Sequence, residues 1–397
     1  MPWRETCPMD ERHLFITDYL REEASVAELC RRYEVSRKTG YKWIERYEAE
    51  GFEGLAERSH VAHSCPHRLS EGLARRIVAV REKHPTWGPR KVRAWLVDRH
   101  AEERWPATST IGELFAAAGL VVGRKKRRRV PESAPFGTCG QANDVWTIDF
   151  KGWFRTGDGK RCDPVTLNDA HSRYLLRCQA VDHPDGKSVW PILDAAFREY
   201  GLPLRMRSDN GPPFASTALG GLSSLSVRLI KVGVTPERIQ KGKPQQNGRH
   251  ERFHLTLKRE TASPPAANRR AQQRSFDAFR QVYNEERPHE ALGQTPPARH
   301  YAGSPRRYTG RLREPDYPDL LEVRRVRHNG EIKWQGELLY LSQLLVGEPV
   351  GLEELDDGRW CLHYGPVVLG ILDHRGRICR SSPAGEDRLA QHTQPPG

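Results

Sequence analysis

The sequence predicts a multidomain protein: all-α helix-turn-helix modules at the N-terminus, a central α/β domain on a mixed sheet, and a small β-barrel near the C-terminus. The chain has 397 residues, more than one hydrophobic core usually organises. Apolar residues follow a helical spacing over residues 11–118, whereas strand-like segments and amphipathic helices alternate over residues 141–300. Short strand-like runs divided by turn residues then occupy residues 321–373.

The first domain, residues 1–60, is predicted to be a helix-turn-helix. Ser25 is a suitable N-cap for a helix that begins at Val26, and a short turn over residues 34–37 leads into a second helix. In a helix-turn-helix, the second helix enters the major groove of DNA. The candidate DNA-contacting residues at the start of that helix are Arg37, Lys38, Thr39 and Lys42. An ordinary helical hairpin is the alternative interpretation.

Residues 61–123 are predicted to form a second helical, helix-turn-helix-like DNA-binding domain. Helices are expected over residues 69–81, 87–96 and 108–118, the last capped by the Thr108–Thr110 segment. Four potential zinc ligands precede them: His60, His63, Cys65 and His67. We favour a linker over a zinc site, because no second ligand pair stands at zinc-finger spacing. The 8 cysteines of the chain include no C-x-x-C pair, which favours reduced thiols.

The charge of the chain favours a polyanionic partner. Lys and Arg number 64 against 51 Asp and Glu, a formal net charge of +13. The run Arg124–Arg129 lies in a predicted basic linker, residues 124–140, and suits phosphate contacts. With no long apolar run, a mean hydropathy of -0.74 and no signal peptide core, we expect a cytoplasmic protein without membrane contact.

The central domain, residues 141–300, is predicted to be a mixed sheet with helices on its faces. Three antiparallel strands are expected over residues 145–154, 162–168 and 173–181. The segments that follow alternate between helix at 188–200 and 219–232, strand at 202–207 and 234–239, and helix again at 249–261 and 272–284. Residues 301–380 are then predicted to form the small β-barrel, a DNA-binding domain, and residues 381–397 a disordered tail.

Three carboxylates in the central domain are candidates for a catalytic metal site. Asp149 lies in the middle of an apolar strand, where an uncompensated charge is costly. Asp209 directly follows a short strand, and Glu251 comes early in a helix. Phosphoryl transfer to or from DNA can use two divalent metals about 4 Å apart, and hard cations require oxygen ligands from several elements.

The sequence around these carboxylates resembles the integrase-core family, which includes insertion-sequence transposases and retroviral integrases. The resemblance covers roughly residues 140–300 and rests on five motifs: Trp146-x-x-Asp149-Phe-Lys-Gly, Asp169-Ala-His-Ser-Arg-Tyr174, Ser208-Asp-Asn-Gly-Pro-Pro-Phe214, Pro244-Gln-Gln-Asn-Gly-Arg-His-Glu-Arg-Phe-His254 and Tyr283-Asn-x-x-Arg-Pro-His-Glu-Ala-Leu292. It implies a ribonuclease H-like catalytic core whose DDE triad, Asp149, Asp209 and Glu251, binds two Mg²⁺ or Mn²⁺ ions. It further implies a bacterial, nucleoid-associated homo-oligomer that acts on double-stranded DNA.

Other residues near the triad leave their roles open. The last two triad members are 42 positions apart (251 minus 209), longer than is usual in the family, and an insertion near residues 218–225 explains the excess. Lys258 and His254 share a helix face with Glu251 and could contact phosphate, although a solvated polar stripe explains Lys258 equally well. Asp169 is expected to pair with Arg173 or to shape a turn, not to bind metal.

The resulting functional hypothesis is a transposase that binds the terminal repeats of its element, cleaves there and joins the ends to target DNA. One alternative is a noncatalytic DNA-binding repressor or an inactive relic of a transposase. Another is a ribonuclease H-like nuclease without strand transfer. The pair of predicted DNA-reading modules favours the transposase, because a simple nuclease needs no recognition of element ends.

Overall fold

The computed structural model describes residues 8–58, 69–121, 139–239 and 248–379. The chain divides into two compact units, Met1–Leu69 and Ser70–Gly397, which are described separately. Several sequence predictions fall outside the described residues: the stretch with four potential zinc ligands, most of the basic linker, and the tail over residues 381–397.

The first unit contains α1 (Pro8–Leu20), α2 (Val26–Arg32) and α3 (Arg37–Glu50). Ser25 forms the predicted cap of α2, as part of a reciprocal capping box with Glu28. Gly40 permits the close packing of α3 on α2, because a Cβ there would lie only 2.5 Å from the Sγ of Cys30. The helices bury one apolar cluster, which includes Phe15, Ile16, Leu29, Trp43 and Ile44. The predicted helix-turn-helix layout is therefore present.

The second unit begins with α4 (Glu71–Lys83), α5 (Pro89–Arg99) and α6 (Thr108–Ala117). Ser70 caps α4 through its side chain, and Pro89 occupies the first turn of α5, where a missing N–H costs nothing. The capping predicted for α6 is wrong: its N-cap is Ala107, and no side chain hydrogen-bonds there. Thr108 already has helical geometry, so the run of hydroxyl residues lies inside the helix.

The central sheet has six strands in the described residues: β1 (Val145–Phe150), β2 (Phe154–Arg155), β3 (Arg161–Asp169), β4 (Leu175–Val181), β5 (Arg205–Ser208) and β6 (Thr235–Arg238). The main order is β4-β3-β1-β5-β6, and the short β2 also pairs with β3. β1, β3 and β4 pair antiparallel, whereas β5 and β6 run parallel to β1. The predicted mixed sheet is confirmed.

Helices cover both faces of this sheet: α7 (Gly186–Tyr200) and α8 (Ser224–Lys231) on one, α9 (Gly248–Thr261) and α10 (Arg269–Glu285) on the other. Strand residues alternate between the faces. Trp146 and Ile148 of β1 join the α7 and α8 cluster, whereas Thr147 reaches α9 through a hydrogen bond to His250. By the same alternation Asp149 lies on the α9 face.

The free edge of β4 is covered by side chains of α10. Gln273 accepts from the backbone N–H of Ala180 and donates to the carbonyl of Cys178. Asn284 likewise accepts from the backbone N–H of Leu175 and donates to its carbonyl. These amide side chains satisfy the backbone groups that a further strand would otherwise pair.

A polar cluster joins the α4–α6 block to the C-terminal end of α9 and to the residues that follow α10. Arg287 is 7% exposed, and its guanidinium donates to Glu260 and to the hydroxyl of Thr86. The Lys91 ammonium donates to the carbonyl of Pro288. Burial, followed by the charge of Arg287, lowers the pKa of Lys91 to about 8. The block is thereby attached to α9 and α10 through several charged contacts.

His289 makes folding stability depend on pH. Burial, followed by the charges of Lys91 and Arg287, lowers its pKa from 6.5 to about 3. The contribution of neutral His289 to folding stability is therefore complete above pH 6.5. It is lost as the pH falls towards 3, because over this range only the unfolded chain takes up the proton. We expect His289→Gln to reduce the slope of unfolding free energy against pH by up to about 1.4 kcal/mol per pH unit.

Urea unfolding of wild type and His289→Gln at about pH 7 and pH 5 measures this slope. The matched control is His171→Gln, because His171 is exposed. A slope that changes equally in the two variants would contradict the assignment to His289.

The C-terminal part contains β7 (Glu322–Arg325), β8 (Glu331–Trp334), β9 (Glu337–Tyr340), β10 (Pro349–Glu354), β11 (Trp360–Tyr364), β12 (Val367–Leu372) and β13 (Ile378–Cys379). Five of these strands form an antiparallel sheet in the order β13-β12-β11-β10-β7, and β8 pairs with β9 in a separate hairpin. The pairings are not closed, so the predicted barrel is not confirmed. Leu222, Val227 and Ile230 share a buried cluster with this sheet.

The segment that follows residue 300 packs on the central domain before the C-terminal sheet begins. The Tyr301 ring stacks on Tyr174 with 4.4 Å between centroids, and its hydroxyl donates to the side-chain carbonyl of Asn143. Arg306 donates to the carbonyls of Pro203 and Gly233. The two domains predicted on either side of residue 300 are therefore joined by a segment that the central domain holds.

Among the helices in the described part of the chain, none combines the length and the hydropathy that crossing a lipid bilayer requires.

Candidate catalytic and metal-binding site

Asp149 and Asp209 lie on neighbouring parallel strands. The ladder between β1 and β5 pairs Trp146 with Met206 and Thr147 with Arg207. Two positions after Thr147 and Arg207, the same register places Asp149 beside Asp209, which is the first residue after β5. The carboxyl ends of parallel strands are where ligand sites of α/β sheets collect. The two carboxylates thus lie together at the expected sheet end.

Asp209 carries a carboxylate that is costly without a cation. Burial, followed by the negative charge of Asp149, raises the pKa of Asp209 above its usual value. Its Oδ1 is buried and has no hydrogen-bond partner, and the backbone N–H of Gly211 supports the ionised group. A Cβ at position 211 would lie 3.0 Å from the other carboxylate oxygen, so glycine gives the backbone room to approach. A buried, unsatisfied oxygen beside a second carboxylate fits a divalent cation.

Glu251 lies in the first turn of α9, but its side chain is exposed. The buried face of this helix is formed by His250, Phe253 and Leu257, at the i, i+3 and i+7 spacing of a helix stripe. Glu251 is next to that stripe, not on it. In the described residues it is not part of any cluster of three metal-capable side chains. The structure brings the two aspartates together, whereas the side chain of the third predicted ligand, Glu251, is exposed.

Two histidines of α9 occupy the space above β1 and β3. His250 is 8% exposed; its Nε2 lies 2.6 Å from the hydroxyl of Thr147, and its Nδ1 lies 3.6 Å from Asp149 Oδ2. His254 Nε2 lies 2.9 Å from the hydroxyl of Thr166. Burial, followed by the charge of His250, lowers the pKa of His254 to about 4. One ligand atom from each of Asp149, His250 and His254 lies within 4.8 Å of the others.

Sequence reasoning missed His250 and placed His254 only as a phosphate contact. The available signal was the i, i+4 spacing of the two histidines, which puts both on one helix face. Asn210, which directly follows Asp209, donates through its side chain to the carbonyl of Ile239.

Lys258 is exposed and lies near a second lysine that sequence reasoning missed. Burial, followed by the charge of Lys258, lowers the pKa of Lys151, which comes two residues after Asp149. Both ammonium groups therefore lie in the neighbourhood of the site, where the phosphates of a bound DNA strand would compensate their repulsion.

Asp169 shapes a turn, one of the two roles expected for it. Its Oδ1 accepts from the backbone N–H of Asn143, and its Oδ2 accepts from the N–H and the hydroxyl of Ser172. Asp169 is fully buried and has these donors in place of a metal.

The candidate DNA-contacting residues of the first unit lie at the start of α3. Arg37, Lys38 and Lys42 are exposed. Thr39 is half-buried; its backbone N–H donates to the hydroxyl of Ser36, the N-cap, and the two hydroxyls lie 2.8 Å apart. Thr39 thus stabilises the start of α3, and the three cations remain available to an anionic partner.

Family models match most of the predicted modules. The integrase core domain matches residues 140–244 and residues 232–297. A helix-turn-helix domain matches residues 14–60, and a homeodomain-like domain matches residues 39–115. These matches cover the first helical unit, the α4–α6 block and the central sheet.

Two bacterial proteins are similar over most of their own length. The insertion element IS407 uncharacterized 31.7 kDa protein of Burkholderia multivorans is 33% identical over 240 residues, covering 59% of this chain and 82% of that protein. The insertion element IS476 uncharacterized 39.2 kDa protein of Xanthomonas euvesicatoria is 29% identical over 251 residues, covering 62% of this chain and 69% of that protein.

A solved structure, the HTLV-2 integrase catalytic core domain in complex with magnesium, is 14% identical and covers 41% of this chain and 99% of that one. Its TM-score of 0.33 is too low to support the fold, which rests on the sheet and the family matches. Those matches and the 33% identical relative decide the family. The chain belongs to the family of insertion-element transposases that combine helix-turn-helix domains with an integrase core domain.

Proposed function

We propose that this protein is a DDE-type polynucleotidyl transferase that binds the terminal repeats of its insertion element, cleaves the DNA there and joins the ends to target DNA. The observation that carries the proposal is the pair Asp149 and Asp209: two adjacent carboxylates, one with a buried, unsatisfied oxygen and a raised pKa. The fold holds two negative charges close together, and a bound cation would offset their electrostatic repulsion.

Asp149, Asp209 and Glu251 are the residues that would hold two Mg²⁺ or Mn²⁺ ions. When bound, such ions lower the pKa of an attacking water or hydroxyl and stabilise the departing oxygen. The protein contributes the placement: the Gly211 N–H orients Asp209, and the parallel register fixes its distance from Asp149. Glu251 is exposed in the described structure, so its participation requires an adjustment at the start of α9.

Recognition and chemistry are assigned to different parts of the chain. Arg37, Lys38, Thr39 and Lys42 are proposed to contact the terminal repeats, in the groove position of a helix-turn-helix recognition helix. Lys258 is proposed to contact phosphate next to the carboxylates, with Lys151 as a second cation. The C-terminal sheet and its hairpin are proposed as a small barrel-like module that binds DNA without sequence preference, and a homo-oligomer would pair both ends.

The test is the joining of a labelled element-end duplex to plasmid DNA by the full chain. We expect product with Mg²⁺, none with EDTA, and a loss on the order of a hundredfold or more with Glu251→Gln, which keeps the shape of the side chain but removes its charge. The matched control is Glu285→Gln at the end of α10, because Glu285 is exposed and outside the site. Joining by Glu251→Gln at the wild-type rate would remove Glu251 from the triad.

The alternative is a noncatalytic DNA-binding protein, either a repressor or an inactive relic. Specific binding of the element end without any metal-dependent product would support that alternative. Cleavage at the end without joining would support a nuclease. The intact pair of aspartates favours the transferase over the noncatalytic alternative, because neither a repressor nor a relic needs to retain two repelling carboxylates.

A further inference from the structure

A second set of possible metal ligands lies beside the aspartate pair. It consists of the Asp149 carboxylate and one ring nitrogen from each of His250 and His254. His250 is more than nine-tenths buried, and its Nδ1 points towards Asp149 with no hydrogen-bond partner. Leaving a buried nitrogen without a hydrogen-bond partner is energetically unfavourable, so this arrangement fits a bound ligand.

The strand hydroxyls fix which nitrogen of His250 carries its proton. The Thr147 hydroxyl donates its single hydrogen to the carbonyl of Asn168, at 3.2 Å, so towards His250 it can only accept. His250 therefore carries its proton on Nε2, and Nδ1 presents a lone pair to Asp149. The Thr166 hydroxyl donates to the carbonyl of Asp149 and holds His254 in the same way. Metal-binding histidines are typically oriented by such a hydrogen bond from the other nitrogen.

The chemistry of this donor set differs from that of the three carboxylates. Mg²⁺ prefers oxygen ligands and keeps several waters, whereas imidazole suits Zn²⁺ and the neighbouring transition metals. Two imidazoles and one carboxylate with an open position are also a ligand set found in zinc enzymes. This donor set should therefore bind transition metals more tightly than Mg²⁺.

We propose that Asp149, His250 and His254 form a binding site for a transition-metal ion of the Zn²⁺ class. The site rests on the proposed function only in that it shares Asp149 with the carboxylate triad. His250 and Glu251 are consecutive on α9 and project about 100° apart, so one orientation of the helix cannot direct both at Asp149. An ion held by the two histidines therefore keeps the Glu251 side chain directed away from Asp149. It thereby opposes assembly of the triad Asp149, Asp209 and Glu251.

The experiment is a titration of the metal-free full chain with Co²⁺, which takes the place of Zn²⁺ and reports its ligands by visible absorption. We expect one ion per chain, displaced by Zn²⁺ but not by millimolar Mg²⁺. His250→Gln and His254→Gln should each weaken Co²⁺ binding about 10-fold to 100-fold or more, and Thr147→Val should weaken it about 10-fold through the lost orienting bond. His171→Gln and Glu251→Gln should bind as wild type.

Unchanged Co²⁺ affinity in either α9 histidine variant would overturn the proposal, and so would an equal loss in His171→Gln. Near-ultraviolet circular dichroism of each variant confirms that its core remains packed. Joining with Mg²⁺ is measured separately on the wild type. If joining fails while the histidine variants lose Co²⁺, the proposed function falls and the metal site stands; the reverse result retains the transferase and removes the site.

Discussion

Asp149→Asn is expected to abolish cleavage and joining while its affinity for the element end stays within severalfold of wild type. The substitution preserves the shape of the side chain but removes the charge that both proposed ligand sets share. Metal ions contribute several kcal/mol to such reactions, so the rate should fall on the order of a thousandfold or more. End binding is assigned to the first compact unit, whereas Asp149 lies in the second. Gel-shift and strand-transfer assays on the same preparation separate the two effects.

The same variant should remain folded. Removing the negative charge of Asp149 lowers the pKa of Asp209 towards its usual value and relieves repulsion that is present at neutral pH. We therefore expect the Tm at neutral pH not to fall. Asp319→Asn is the matched control, since Asp319 is exposed in the segment before β7. An equal loss of end binding and of joining in Asp149→Asn would contradict the division of labour between the units.

Among the proposed variants, Arg287→Met is expected to lower the free energy of unfolding most. Arg287 is buried and its guanidinium is the ion-pair partner of Glu260, whose side chain is 19% exposed. Removing one partner of such a pair leaves an uncompensated charge, which costs about 3–5 kcal/mol. The Thr86 hydroxyl loses the same donor, so the α4–α6 block should loosen from α9 and from the residues that follow α10. Urea unfolding measures the change, as a lower midpoint at an unchanged slope.

A double variant distinguishes the ion pair from simple packing. Arg287→Met with Glu260→Gln removes both charges of the pair, so it should recover a large part of the lost stability. The control is Arg299→Met, because the Arg299–Asp98 pair also joins the α4–α6 block to the region after α10 but both side chains are well exposed. An exposed pair contributes about 0–1 kcal/mol. Equal losses in Arg287→Met and Arg299→Met would show that burial does not govern this interface.

The helices and strands of the central domain could be predicted from the sequence, because the patterns that indicate them lie within each segment. Alternation in β1 and an apolar stripe in α7 each fit one periodicity, and both aspartates interrupt or follow apolar strands. Pairing across chain-distant strands is not local. The parallel register that sets Asp149 beside Asp209 is visible only in the folded sheet.

The parts that could not be predicted depend on how elements dock. The spacing of His250 and His254 shows that they share a face, but only the contact of α9 with Thr147 and Thr166 reveals what that face covers. The exposure of Glu251 likewise follows from the rotation of α9. In the C-terminal part, β8 is four residues long with charges at alternate positions, a signal too weak to distinguish from a turn.

Coverage of β4 by α10 limits how two copies of this protein can meet. Gln273 and Asn284 already occupy backbone groups along that strand, so a neighbouring chain cannot extend the sheet there without breaking those bonds. Two copies therefore cannot join their sheets through this edge, and any contact between them needs another surface. The covered edge also offers no template for open-ended fibre growth.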